Sequence, residues 1–123
     1  MKEELIKFET AKLAKEKQFD VLCMWSYLKE KLVLFGSNNQ FESYISAPTQ
    51  SLLQKWIREK HDIHINPEPY GETADHTRDI TGYYMGDIIH STGGQVLVYG
   101  DDNYSTYEEA LEVGLLKALK EIK

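Results

Sequence analysis

The clearest chemical pattern in this 123-residue chain is a run of oxygen-bearing side chains near its C-terminal end. They follow the spacing of a calcium-binding loop, in which ligands stand at positions 1, 3, 5, 9 and 12: Asp101, Asn103, Ser105, Glu109 and Glu112. Such a loop also needs glycine at position 6, where the backbone turns sharply, and this chain has Thr106 there. We therefore interpret the run as a polar loop that leads into a helix, and we expect no metal and no other cofactor.

A second candidate for chemistry is His76, which lies between Asp75 and Asp79. A carboxylate–histidine pair there could serve general acid–base catalysis in a small hydrolase or lyase. No nucleophile stands beside the pair in sequence, so we assign no catalytic residue and keep the hydrolase as an alternative. His61 and His64 lack the i, i+4 spacing of a helical zinc site.

Cys23 is the single cysteine of the chain, which excludes an intrachain disulfide and a cysteine-based zinc site. It lies in the apolar run Val21–Trp25, where no base or charged group accompanies it. We expect a buried thiol that packs as a small hydrophobic side chain rather than a nucleophile.

Charge is divided unevenly along the chain, with a net of +2 over residues 1–60 and −8 over residues 61–123. An acidic half repels phosphate backbones, so we do not expect ordinary nucleic-acid binding there. Two alternatives stay open. Nucleic acid could bind the lysine-rich first helix, through Lys7, Lys12, Lys15 and Lys17, or the acidic half could imitate DNA and occupy a nucleic-acid-binding protein.

Six of the eight tyrosines lie in the acidic half, and tyrosine is enriched at the centres of protein–protein interfaces. This combination predicts a surface for a partner protein. We call it the acidic tyrosine surface, and its members are Tyr70, Asp101, Asp102, Tyr104, Tyr107, Glu108 and Glu109.

Local patterns in the first half predict a helix, a hairpin and a second helix. The first helix should begin at Glu3 or Glu9 and end near Gln18, and strands at 20–28 and 31–36 should pair as a hairpin. The second helix should start with Pro48 at its first helical position and end near His61.

The second half begins with a predicted strand at Ile63–Asn66, which is followed by a polar loop at residues 67–79. A strand at 83–90 and a strand at 95–99 should then pair through a glycine turn, and a second loop should cover residues 100–106. The last helix should open with a capping box between Thr106 and Glu109. Its apolar face should contain Ala110, Leu111, Gly114, Leu115, Ala118, Leu119 and Ile122.

These elements predict one α+β domain over residues 1–123, in the order α-ββ-α-βββ-α. An antiparallel sheet, built from the hairpin and a three-stranded segment, should pack on about three helices. No apolar run is long enough to cross a membrane, and the N-terminus lacks the apolar core of a secretory signal. We therefore expect a cytoplasmic protein that does not enter membranes.

From Pro48 to Leu119, the order helix, three strands, helix resembles that of the double-stranded RNA-binding domain. The apolar pattern of the last helix is also similar to that of the family. The family begins this helix with a cluster of Lys and Arg that grips phosphates, whereas this chain has Glu108 and Glu109. The resemblance therefore implies a fold and no RNA contact.

Three segments, Phe8–Lys17, Ser46–His61 and Thr106–Glu112, resemble small uncharacterised proteins of bacterial phages and mobile elements. This resemblance implies a phage or prophage origin and a location in the bacterial cytoplasm. Together with the acidic tyrosine surface, it leads us to expect a non-enzymatic accessory protein. Its partner would be a host or phage protein that also contacts the loop 67–79.

Overall fold

The computed structural model describes residues 4–70, 82–90 and 94–122. Helices and strands follow one another in these residues as α1 (Phe8–Glu16), β1 (Cys23–Leu28), β2 (Lys31–Ser37), β3 (Tyr44–Ser46), α2 (Gln50–His61), β4 (Ile63–His64), β5 (Pro67–Tyr70), β6 (Gly82–Met85), β7 (Ile88–His90), β8 (Val96–Val98), β9 (Asp101–Tyr104) and α3 (Tyr107–Glu121). The predicted α+β class and the predicted order of the elements are confirmed.

The strands form three small antiparallel sheets, with the orders β2-β1-β3, β4-β7-β8 and β5-β6-β9. The strand predicted over residues 83–90 is in fact two strands, because the chain leaves one sheet after Met85 and enters another at Ile88. The break is fixed at Asp87, whose Oδ1 accepts a hydrogen bond from the Gly100 backbone at 2.7 Å. A side chain at Gly100 would collide with the carbonyl oxygen of Met85, so this crossing requires glycine.

Two predicted loops are wrong in part. Pro67–Tyr70 pairs with β6 instead of forming a loop, and Asp101–Tyr104 pairs with the other side of β6. Proline and aspartate disfavour strands locally, but β5 and β9 are the outer strands of their sheet, where proline is tolerated. The remainder of the predicted loop, residues 71–79, lies outside the described residues.

The predicted hairpin is confirmed, and its connection has only two residues. Leu28 lies opposite Lys31, and the two loop residues, Lys29 and Glu30, both have positive φ angles of 55° and 24°. This left-handed conformation suits the twist of a hairpin but favours Asn and Gly over the residues present here.

The helix ends follow local capping. Thr49 caps α2 by accepting a hydrogen bond from the Leu52 backbone at 3.2 Å, so Pro48 lies before the cap and not at the first helical position as predicted. The helix ends at His61 as predicted. At α3, Thr106 accepts from the Glu109 backbone at 3.0 Å, while the Glu109 carboxylate reaches the backbone of Ser105 instead of Thr106.

The core lies where α3 packs against the other helices and the second and third sheets. All the residues predicted for the apolar face of α3 are buried: Ala110, Leu111, Gly114, Leu115, Ala118, Leu119 and Ile122. A side chain at Gly114 would overlap Met85 and Ile65, so glycine lets the helix approach these residues closely. In the part of the chain that the structure describes, no helix combines the length and the apolar character that crossing a membrane requires.

Candidate functional site

The acidic tyrosine surface is partly assembled by β6, β9 and the start of α3. Tyr104 lies directly opposite Tyr83 in the sheet, and the ring of Tyr83 meets that of Tyr107 edge to face at 6.0 Å. Tyr107 is 39 % exposed, whereas Tyr104 is half-buried and packs against the core. The rings of Tyr83 and Tyr107 therefore meet where β6 lies beside the start of α3.

The remaining members of this surface are spread more widely. Tyr70 pairs with the first residue of β6 and Asp101 with the last, so their backbones lie at opposite ends of the strand. Asp102 follows in β9. At the start of α3, Glu109 is exposed, while Glu108 is half-buried and accepts a hydrogen bond at its carbonyl oxygen from a side chain of α2.

Cys23 and His61 lie in packed surroundings that change their pKa values. The Cys23 thiol is buried and donates to the carbonyl oxygen of Val21 at 3.3 Å, and burial raises its pKa from 9.0 to about 11. His61 packs edge to face on Trp56, and its pKa is lowered by burial and by the charge of Lys60. Cys23 is therefore protonated near neutral pH and packs as the sequence predicts.

His64 and His90 lie on neighbouring strands but on opposite faces of their sheet. His64 lies opposite Ile89 and His90 lies opposite Ile63, and successive residues of a strand alternate between the two faces. His76 and its neighbouring aspartates, Asp75 and Asp79, lie outside the described residues. Across residues 4–70, 82–90 and 94–122, no group of three or more histidine, cysteine or acidic side chains could hold a metal ion.

Two of the four lysines proposed for nucleic-acid binding already have backbone partners. The Lys15 ammonium donates to the carbonyl oxygens of Phe41, Glu42 and Tyr44 at 2.7, 3.1 and 2.9 Å. The Lys17 ammonium donates to the carbonyl oxygen at position 122. These bonds connect Lys15 and Lys17 to the backbone of other segments. To bind a phosphate, each lysine would have to give up its bonds to these carbonyl oxygens.

An exposed apolar groove lies between the hairpin and the start of α2, with a volume of about 620 Å³. We call it the hairpin groove; it is lined by Leu5, Leu22, Cys23, Met24, Trp25, Leu32, Ala47, Pro48, Thr49 and Leu52. Leu22 and Met24 are 69 % and 73 % exposed. Its volume is within the range of ligand-binding pockets, and clustered exposed apolar residues mark interaction sites.

One wall of the groove comes from residues that precede α1. Leu5 pairs with Thr49, and the backbone of Ile6 donates to the carbonyl oxygen of Pro48 at 3.0 Å. The hydroxyl of Tyr27 donates to the carbonyl oxygen of Ile6 at 2.7 Å. These bonds hold the N-terminal segment against the hairpin, so the wall is built into the fold.

The face of this sheet that points away from the groove contains three fully buried serines, Ser26, Ser37 and Ser46. Their hydroxyl groups lie in a chain with two distances of 2.8 Å, and Asn39 ties this chain to the backbone of Ser46. The sheet is therefore fixed on one face by hydrogen bonds, while its other face presents apolar side chains. A rigid scaffold of this kind lowers the entropy cost of binding.

The residues that line the hairpin groove are mostly apolar. Among the described ones, the side-chain groups that can form hydrogen bonds are the Thr49 hydroxyl, which caps α2, the indole N–H of Trp25 and the protonated thiol of Cys23. Sequence reasoning missed this groove. A signal was present, because the runs Val21–Trp25 and Leu32–Phe35 are apolar at successive positions, whereas a hairpin with one buried face alternates.

No protein-family model, no curated protein and no solved structure matches this chain.

Proposed function

We propose that the chain is a non-enzymatic protein-binding module and that the hairpin groove is its main contact. The observation that carries the proposal is the exposure of Leu22, Met24 and Leu34, each about two-thirds or more exposed on one hairpin. The hydrogen-bonded sheet holds these apolar side chains in contact with water. A partner that covers them removes apolar surface from water, which makes the free energy of binding more favourable.

A protein partner fits this site better than the alternatives. The groove offers no described acid, base or reactive nucleophile for catalysis, and phosphate recognition needs cations, which its lining lacks among the described residues. Apolar contacts surrounded by polar groups are typical of protein interfaces. The three segments that resemble phage and mobile-element proteins support a host or phage protein as the partner, in a bacterial cytoplasm.

The acidic tyrosine surface is a second contact in this proposal. Gln50 connects it to the groove, because the Gln50 side chain donates to the carbonyl oxygen of Glu108 at 2.9 Å, and the preceding residue, Thr49, lines the groove. Exposed Tyr107 and Glu109 would then engage polar groups of the partner outside the apolar centre.

The experiment is a selection from a library of random peptides displayed on cells. The native chain is the bait, and selected clones are tested against the double variant Leu22→Asp, Met24→Asp. Because both side chains are exposed, this variant should fold, which a matching circular-dichroism melt would show. The expected result is a set of clones that bind the native chain and lose about tenfold or more in affinity for the variant.

Two further variants make the outcome specific. Tyr99→Asp changes an apolar side chain that is 79 % exposed outside the groove, and it should leave binding unchanged. Charge reversal at Asp101, Asp102, Glu108 and Glu109 should weaken binding less than the groove variant does. Clones that bind the groove variant as tightly as the native chain, or a library without any specific clone, would refute the proposal.

A further inference from the structure

We infer that the partner segment is an extended strand that pairs antiparallel with the open edge of β2 and places an acidic side chain opposite Lys31. This inference rests on the proposed function and specifies the chemistry of the partner. It predicts the pattern apolar–any–apolar–acidic, read from the N-terminus of the segment.

The backbone of β2 is available for a further strand. In the order β2-β1-β3, this strand is the outer one on its side of the sheet, and it is seven residues long. A two-residue hairpin loop is closed by a hydrogen-bonded pair, here Leu28 and Lys31. Bonding directions alternate along a strand, so Leu32 and Leu34 point their backbone N–H and C=O groups toward the open edge.

The side chains at this edge favour apolar residues on the incoming strand. Leu34 lies opposite Trp25, and Leu32 lies opposite Tyr27, so all four side chains share the face that contains the hairpin groove. Leu34 is 66 % exposed and Leu32 38 % exposed. Residues of the added strand opposite Leu32 and Leu34 would point to this same face and extend its apolar surface beside the groove, which Leu32 lines.

The positive charge of the hairpin tip determines the last position of the predicted partner segment. The hairpin tip has two exposed lysines, Lys29 and Lys31, against one acid, Glu30, whereas the other end of β2 continues into the neutral residues Ser37 and Asn38. A residue paired with Lys31 shares its face, so a carboxylate there would meet the ammonium group directly. A second copy of β2 paired about Leu34 would instead place Lys31 opposite Ser37, which offers no opposite charge.

The test uses a labelled synthetic peptide with blocked ends that carries two leucines in the predicted pattern, followed by aspartate. Binding to the full chain is followed by fluorescence anisotropy. A second peptide has lysine in place of aspartate, and a third has an N-methyl group on the residue that faces Leu32. Lys31→Glu is the charge-swap variant, and Tyr99→Asp is the control.

The native chain should bind the aspartate peptide about tenfold more tightly than the lysine peptide, and Lys31→Glu should reverse this preference. N-methylation should abolish binding, since it removes a backbone donor at the edge. Failure of the aspartate peptide to bind, or equal binding of the N-methyl peptide, overturns the inference. The proposed function still stands in that case if display-selected clones depend on Leu22 and Met24.

Discussion

The side-chain amide of Gln50 donates to a carboxylate oxygen of Glu112 at 3.0 Å and joins the first turn of α2 to α3. The other oxygen of Glu112 accepts from the backbone of Lys7 at 3.0 Å and from the hydroxyl of Thr10. Glu112 is only 7 % exposed, so one buried carboxylate connects all three helices. It also lies near Tyr27, whose pKa is raised by burial and by the Glu112 charge.

Replacing this carboxylate should destabilise the fold strongly. Glu112→Ala removes the acceptor of the Lys7 backbone N–H, the Thr10 hydroxyl and one N–H of Gln50, and we expect a loss of about 2–4 kcal/mol in the free energy of unfolding, measured with urea. Glu112→Gln keeps one acceptor and should cost less. Glu121→Gln, an exposed acid on the same helix, is the matched control. A Glu112→Ala variant as stable as this control would show that the network contributes nothing.

Substitutions in the turn between β1 and β2 should increase the stability of the fold. Lys29 and Glu30 adopt positive φ angles that suit Asn and Gly, so the double variant Lys29→Asn, Glu30→Gly should raise stability by about 1 kcal/mol. Thermal unfolding measures the change. A lower melting temperature for the variant would mean that the charged side chains stabilise the turn by contacts that outweigh the strain.

Burial of the Cys23 thiol should make the free energy of unfolding depend on pH in the alkaline range. The pKa of Cys23 is about 11 in the folded chain, against an ordinary value of 9.0, because burial disfavours the thiolate. The unfolded chain therefore loses this proton first, and the free energy of unfolding should fall as pH rises from 9 toward 11. The raised pKa of Tyr27 acts in the same direction above its ordinary value of 10.0.

Cys23→Ala separates the two contributions, because it should flatten the decline between pH 9 and 10 and leave the part due to Tyr27. Alkylation by iodoacetamide gives an independent readout, since only the thiolate reacts. The native thiol should react far more slowly than the thiol in urea at pH 8. Equal rates in the two states would show that Cys23 is neither buried nor shifted.

Elements with local signals could be predicted from the sequence. The hairpin, the end of α2 at His61 and the cap at Thr106 depend on residues that are neighbours in the chain, and each of them is confirmed. The strands β5 and β9 could not be found in this way. Their proline and aspartate residues disfavour strands, and only the partner strand β6, distant in sequence, makes pairing favourable.

The candidate site was less accessible from the sequence. The exposure of Tyr107 and Glu109 agrees with the predicted surface, but the hairpin groove depends on Leu5 and Pro48 meeting the hairpin in three dimensions. The sequence correctly places Glu112 in the last helix, but its buried carboxylate was not predicted. Its position beside buried Leu111 and Leu115 was the signal that this acid faces the interior.

Trp25 lines the hairpin groove and is 37 % exposed, so its fluorescence reports directly on whether a partner binds there. A peptide selected on the native chain is titrated while tryptophan emission is recorded, with Trp25→Phe as the control for the buried Trp56. Binding in the groove should shift the emission to shorter wavelength in the native chain and leave the control spectrum unchanged. Saturable binding without any change in Trp25 emission, and with undiminished affinity for Met24→Asp, would place the contact elsewhere and contradict the account.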